Sequence, residues 1–387
     1  MRSKMTLRAP SKGLATKSVH SDRIERWLGA ENAQRLSDNM KGWYGPPIHL
    51  LDCPGSVRIC GDGDFIGPFE RGYAISAMDA ARDHIRRSWN ALGRQHHGLL
   101  NVGFASISDA LARASSGNSQ MLNGNIAKSG PTKVVAVASS LWRVGTMPAA
   151  GSAGAAAPGG TAHTKANTGA MAFNNPSAGT LHLVGADFSA SIINNALLIY
   201  DRLFSVAKTM ASTATEAVTG DPTRYQSTTA TDADYIGGNF GFVEVGGTAL
   251  AATAHNWTTC LYDDQGNASS TLPSITGNSG AIVDRLDHPV NNWFAPLASG
   301  DVGIRAWTQM QCSASVATGA INFVIGHPLG VMSFPVINSL LPFDWLTNRN
   351  QAPRIFDDAC IALMELPAPA TTATTYNGMI YATGAAA

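Results

Sequence analysis

The sequence predicts a mainly β protein, with a β-sandwich or jelly-roll-like C-terminal two-thirds behind a helical N-terminal region. Three observations predict it. Eight short runs rich in aliphatic, aromatic and β-branched residues fall between positions 180 and 383. Clusters of Gly, Asn, Asp, Pro and Ser separate them, and the chain holds 39 Gly and 19 Pro in all. Apolar spacing of helical period is confined to the first third.

Taken in order, residues 1–20 read as a flexible basic arm. Arg2, Lys4, Arg8, Lys12 and Lys17 all precede Asp22, the first acidic residue. Such an arm suits contact with nucleic acid or with an acidic face of a neighbouring copy. Residues 21–128 read as mixed helix and loop. Ser21 and Asp22 supply a helix start, and Ile24, Trp27, Leu28, Leu36 and Met40 recur at helical spacing until Gly42 and Pro46-Pro47 end the run. Residues 53–72, rich in Gly, Pro and Asp, read as a long loop. A second helix is expected over 74–92, with Ile75, Met78, Ile85, Trp89 and Leu92 on one side and Gly93 as its stop. A third, short helix is expected over 107–114.

Residues 129–387 read as the β-rich domain. Within it, 149–169 is an Ala/Gly/Pro/Thr stretch expected to form an exposed loop or linker. The strand candidates are 180–188, 196–204, 240–249, 256–263, 302–313, 320–327, 360–366 and 375–383. Alternation is clear in the fifth, where Ile304, Ala306, Thr308 and Met310 oppose Arg305, Trp307 and Gln309. Asp264-Gln265-Gly266-Asn267 marks a tight turn. Trp142, Trp257, Trp293, Trp307 and Trp345 lie in or beside strands, as core or interface anchors do.

Composition points toward assembly. Charged residues make up 14% of the chain and hydrophobic ones 44%, with zero formal net charge. A surface so poor in charge favours association. The zero also hides an asymmetry: residues 1–130 carry 17 Lys and Arg against 11 Asp and Glu, which leaves 27 − 17 = 10 against 27 − 11 = 16 for the remainder. No apolar run is long enough for a signal peptide or a membrane span. Five scattered cysteines, Cys53, Cys60, Cys260, Cys312 and Cys360, form neither a disulfide framework nor a zinc pattern and read as reduced.

The motifs of several enzyme classes are absent, including the phosphate-binding P-loop, the His-Glu-x-x-His zinc helix and the Gly-x-Ser-x-Gly elbow. Cys60-Gly61-Asp62-Gly63-Asp64 lacks the last acidic ligand of a calcium loop and reads as a turn. His96-His97 reads as a solvated pair, and both Asp232/Asp234 and Asp284-Arg285 with Asp287-His288 read as charged loops. No catalytic, cofactor-binding or metal residue is expected.

Several segments resemble structural proteins of tailed-bacteriophage virions, in the neighbourhood of capsid proteins. These are Ser140-Leu141-Trp142 with Gly145 and Pro148, Leu198-Ile199-Tyr200-Asp201-Arg202-Leu203, and Cys260-Leu261-Tyr262-Asp263-Asp264-Gln265-Gly266. Thr271 to Pro273, Pro296-Leu297, Gly300-Asp301-Val302-Gly303-Ile304-Arg305, Ile325 to Leu329 and Arg354-Ile355-Phe356-Asp357-Asp358-Ala359-Cys360 complete the set, which spans roughly residues 140–367. The resemblance implies a non-catalytic virion component, foremost the major capsid (coat) protein, assembled in the bacterial cytoplasm into the shell around the genome. Its implied partners are many copies of itself, other virion proteins and, through the basic arm, packaged DNA, with no membrane. Three alternatives stay open. A tailed-phage shell implies an α+β capsid fold, whose spine helix only 74–92 could supply. A decoration, head-fibre or tail and receptor-binding protein also suits a jelly roll. A carbohydrate-active β-sandwich protein would use paired carboxylates, for which Glu244 and Glu365 are the acidic residues central to expected strands.

Overall fold

The computed structural model describes residues 106–115, 119–177, 179–226, 238–265, 269–301, 303–345, 352–369 and 371–384, together with one strand pair earlier in the chain. The chain divides into two units, Met1–Arg71 and Gly72–Ala387. In the first unit, β1 (His49–Leu50) runs antiparallel to β2 (Ile59–Cys60). The basic arm, the helices expected before residue 93, His96-His97 and Asp232/Asp234 lie outside the described residues.

The second unit is mainly β, as the turn-punctuated apolar runs predict, and every described pairing between its strands is antiparallel. Its helix α1 (Ile107–Ser115) matches the short helix expected there. Ser106 caps it by accepting the Asp109 backbone N–H at 3.1 Å, and Arg113 pairs with Asp109 one turn back at 2.9 Å.

The central element is a sheet with β10 (Phe240–Val245), β16 (Ala320–Phe334), β8 (Asn195–Thr209), β19 (Ile361–Glu365) and β4 (Ser139–Ser140) in that order, and β6 (Thr161–Ala162) also paired to β8. Its two edges meet the same segment. Residues 284–287 bridge Ser139 through Arg285 and Glu244 through Leu286. Backbone bonds reinforce both seams: Ser140 N–H to Asp284 O at 2.7 Å and Leu286 N–H to Ala138 O at 3.0 Å on one side, Val245 N–H to Arg285 O and Asp287 N–H to Val243 O, both 2.8 Å, on the other. The path from β10 to β4 is therefore closed into a barrel through residues 284–287. Residues 284–288 were expected to be a charged loop. They are the barrel's irregular sixth stave, and Asp287 and His288 are buried because backbone and side-chain partners satisfy them.

β8 and β16 are 15 residues long each and carry the barrel's curvature. Their register shifts twice, once where Phe204 and Arg202 face Ile325 and Gly326, once where Tyr200 and Ile199 face Pro328 and Gly330. Leu203 and Leu329 are the unpaired extra residues, and such bulges bend and twist a strand. Pro328, which has no N–H to give the ladder, sits at the second bulge. Both faces of these strands are buried, which explains why they read as continuous apolar runs rather than alternating ones.

Three cores follow. Inside the barrel, Trp142, Leu198, Tyr200, Phe240, Phe242, Leu286, Trp293 and Met364 pack together. Outside it, a second sheet is stacked in the order β17 (Leu341–Asp344), β7 (Leu181–Ala190), β20 (Thr375–Gly384), β3 (Ser119–Ser129) and β5 (Thr146–Met147), with β18 (Arg354–Ile355) also on β7. Leu183, Phe188, Tyr376 and Ile380 of that sheet meet Leu197, Ile199, Met332 and Leu363 of the barrel, giving the expected sandwich. The third core joins the far halves of β8 and β16 to a smaller sheet: β13 (Ser269–Thr271), β12 (Leu261–Asp264), β15 (Ile304–Met310) and β9 (Glu216–Ala217). The pair β11 (Asn256–Trp257) and β14 (Ile275–Thr276) brings Trp257 into it. All five tryptophans named from the sequence are buried, as are the unpaired Cys260, Cys312 and Cys360.

Two differences from the sequence reading stand out. β3 falls partly within the stretch read as mixed helix and loop. The 149–169 stretch is not a free linker, since it contains β6 and buries Gly151, Gly154, His163 and Gly169, while most residues between them are partly or fully exposed. Gly151 lies so close to Trp142 that a Cβ there would come within 2.1 Å of the indole. The indole N–H bonds Ser152 O at 2.9 Å, and the Gly154 N–H bonds the Asn322 Oδ1 at 3.2 Å.

Candidate functional site

The barrel lumen holds charge. Arg202, on the inward face of β8, grips Glu244 of β10 with Nη2–Oε1 at 2.6 Å and Nη1–Oε2 at 3.1 Å. Asn322 donates to the same Oε1 at 3.1 Å, and the Trp142 ring lies 5.0 Å from the guanidinium carbon. Tyr200 sits beside the pair, and burial pushes its phenol well up against the opposing pull of Arg202. On the outer face of β8, Arg224 grips Asp201 with bonds of 2.7 and 2.8 Å, and the Cys360 N–H donates to Asp201 Oδ1. Each cation has its own carboxylate, and both pairs are shut from solvent.

The carboxylates named from the sequence are not brought together in a cleft. Glu244 is committed to Arg202, and Glu365, at the end of β19, to Lys133 at 2.5 Å. Both are buried. Asp284 lies in the barrel seam, where burial, with Glu244 nearby, raises its carboxyl to about 6 against the pull of Arg143 and Lys128. Lys128 donates to Val144 O and Pro148 O, each at 2.7 Å, and burial lowers it to about 8. Asp287 accepts from the Trp257 indole at 2.8 Å and the Asn278 N–H at 2.5 Å, and contacts His255 Nε2 at 2.8 Å. Among the described residues, no group of three or more His, Cys, Asp or Glu side chains is placed to hold a metal ion.

The surface offers the clearer site. The turn before β8 and the loop between β16 and β17 are tied by Asn194 N–H to Phe334 O and Asn338 N–H to Ala190 O, both 2.8 Å. Together they present Ile193, Val336, Ile337 and Leu340, each between 46% and 55% exposed. No charged residue occurs in 189–194 or 334–340. A second exposed apolar group, Val134, Val135 and Val290, is held by the Asn291 N–H to Ala136 O bond of 2.7 Å. Lys133 connects the two, because its ammonium reaches Asn195 Oδ1 at 2.7 Å. This end of the second unit is thus apolar and short of charge. Sequence reading missed it, since exposed and buried Val and Ile look alike until the fold places them.

Comparison with known proteins yields little. No family model matches the chain, and no curated protein matches it. Among solved structures there is a weak likeness to a viral capsid protein, in the crystal structure of infectious bursal disease virus VP2 subviral particle. Identity is 8% and the TM-score 0.16, over 70% of this chain and 82% of that one. The structure of the Gx strain of the same virus gives 8% and 0.12, over 75% and 86%. At such scores neither likeness carries an argument about fold or function.

Proposed function

We propose that the chain is a virion structural protein, the major capsid (coat) protein of a bacteriophage, which assembles with many copies of itself into the shell enclosing the genome. The observation that carries this reading is the uncharged apolar end formed by Ile193, Val336, Ile337 and Leu340. Obligate interfaces are apolar at their centres and large, on the order of 2,000 Å² or more. The low overall charge and the resemblance of residues 140–367 to tailed-phage structural proteins support the same reading. In it, Arg2, Lys4, Arg8, Lys12 and Lys17 contact packaged DNA or a neighbouring subunit, and the shell forms in the host cytoplasm.

Electron microscopy of the purified full chain, paired with its native mass, tests the proposal. Closed shells or large regular assemblies are the expected result. A discrete trimer would transfer the assignment to a decoration, head-fibre or receptor-binding component of the particle, and a stable monomer would remove self-assembly altogether.

A further inference from the structure

Three residues far apart in sequence meet beneath the apolar end. Lys133 follows β3, Asn195 opens β8 and Glu365 closes β19. All three are buried. Lys133 Nζ lies 2.7 Å from Asn195 Oδ1 and 2.5 Å from Glu365 Oε1. With a C=O length of about 1.2 Å, the Asn195 amide carbon stands within about 4 Å of the amine. The amide is also oriented. Its Nδ2 donates to Ile192 O at 2.8 Å and to Thr374 Oγ1 at 3.1 Å, which turns Oδ1 toward the lysine. The Tyr376 hydroxyl donates to Glu365 Oε1. Gly130 permits the close passage, because a Cβ there would stand 3.1 Å from Glu365 Oε2.

We propose that Lys133 and Asn195 form an intramolecular isopeptide bond, promoted by Glu365. The bond forms between Lys133 Nζ and Asn195 Cγ, and the Asn195 Cγ–Nδ2 bond breaks. Glu365 accepts a proton from the attacking nitrogen and delivers one to Nδ2, which leaves as ammonia. Atoms and charge balance with no oxidant, reductant or further reactant.

The surroundings supply what the reaction needs. Attack requires the neutral amine. Burial drives Lys133 toward that form, with Glu365 opposing it, and burial drives Glu365 toward its protonated form against Lys133, Tyr376 and Thr374. A buried amine and carboxylic acid are the same pair as the ion pair with one proton moved, so the reactive state lies close at hand. Holding amine and amide in contact replaces a bimolecular encounter with an internal one. Exclusion of water keeps hydrolysis of the amide from competing with attack by the amine. The product would close a loop spanning 62 positions and tie the end of the flanking sheet to a barrel strand. A plain buried ion pair is the competing account, in which the ammonium simply donates a hydrogen bond to Asn195 Oδ1 and the amide keeps its nitrogen.

Mass spectrometry of the denatured full chain decides the matter. The expected intact mass is about 17 Da below that calculated from the sequence, the mass of one ammonia. Trypsin should then release residues 129–143 joined to residues 166–202, uncut after Lys133. The full calculated mass would overturn the proposal. So would a 17 Da loss without the joined peptide, because an asparagine that cyclises on its own backbone loses the same mass. Glu365→Gln is expected to restore the full mass in soluble protein. Retention of the joined peptide in that variant would overturn the part assigned to Glu365. The wild-type mass decides the bond itself even where the variant does not fold.

Discussion

Arg202 and Glu244 face each other inside the closed barrel, joined by two hydrogen bonds with neither side chain exposed. An ion pair in such a place is expensive to desolvate, and its attraction repays that only while both partners remain. The pair is therefore weak evidence of net stability, although breaking it is costly.

The consequence is strongly non-additive. Arg202→Met alone and Glu244→Leu alone each leave a lone charge in the barrel, and each should cost about 3–5 kcal/mol. The double variant should lose far less than the sum. Guanidinium unfolding of the wild type and all three variants at neutral pH measures this directly. Additive losses would show the pair to be uncoupled.

Buried histidines predict acid lability. Burial lowers His288 to about 4 and His327 to about 3, and lowers His163 well below its usual value with Arg202 and Arg224 adding to the effect. His288 Nε2 accepts the Val243 N–H at 2.9 Å, a bond that protonation of that nitrogen would break. The unfolded chain takes protons near pH 6.5 while these sites resist, so stability is full above 6.5 and falls toward pH 4 and below. Asp284, raised to about 6, and Glu365, also raised, work the other way and gain stability on acidification. His255 likewise gains, since hydrogen bonding and attraction from Asp287 outweigh burial and raise it. The His255 gain is complete by pH 6.5, so between 6.5 and 4 three histidines that must charge stand against two carboxyls and should prevail, by roughly 1.4 kcal/mol per pH unit for each net proton. The unfolding midpoint should drop as pH falls from 6.5 to 4, and His288→Gln should flatten that slope. A midpoint that rises throughout this range would contradict the argument.

Gly151 tests whether the 149–169 loop is part of the fold. Gly151→Ala places a Cβ on the Trp142 ring and should cost about 1–3 kcal/mol, as overpacking does. Gly159→Ala, in the same loop, meets nothing within 4 Å and should be nearly neutral. Thermal melts with tryptophan fluorescence separate the two, and equal effects would mean the loop does not pack on Trp142.

Much of the β architecture was legible because its signal is local. Runs such as Ala196-Leu197-Leu198-Ile199-Tyr200 can be read without knowing their neighbours, and all eight expected runs contain strand. β3 was missed because it is polar and its Asn123-Gly124 step has both φ angles positive, which reads as a turn. Asp284, Asp287 and His288 were misread because charge density signals a surface unless distant partners satisfy it, and theirs come from β4, β10 and Trp257. The Lys133 cluster left no local trace. Its members are single residues from the connection after β3, the start of β8 and the end of β19, and only the packing of the barrel against its flanking sheet brings them together.

The apolar end makes the sharpest claim about function. Ile193 and Ile337 are about half exposed and stand on adjacent loops joined by backbone hydrogen bonds. A lysine at either position can reach water, so the double variant Ile193→Lys with Ile337→Lys should fold with a change within about 0.5 kcal/mol per site. In an assembled interface the same two charges, repeated in every copy, would be buried without partners, at several kcal/mol each. The variant should therefore remain folded by circular dichroism yet sediment as a small species where the wild type forms large ones. Large assemblies formed equally well by both proteins would place the subunit contact elsewhere on the molecule.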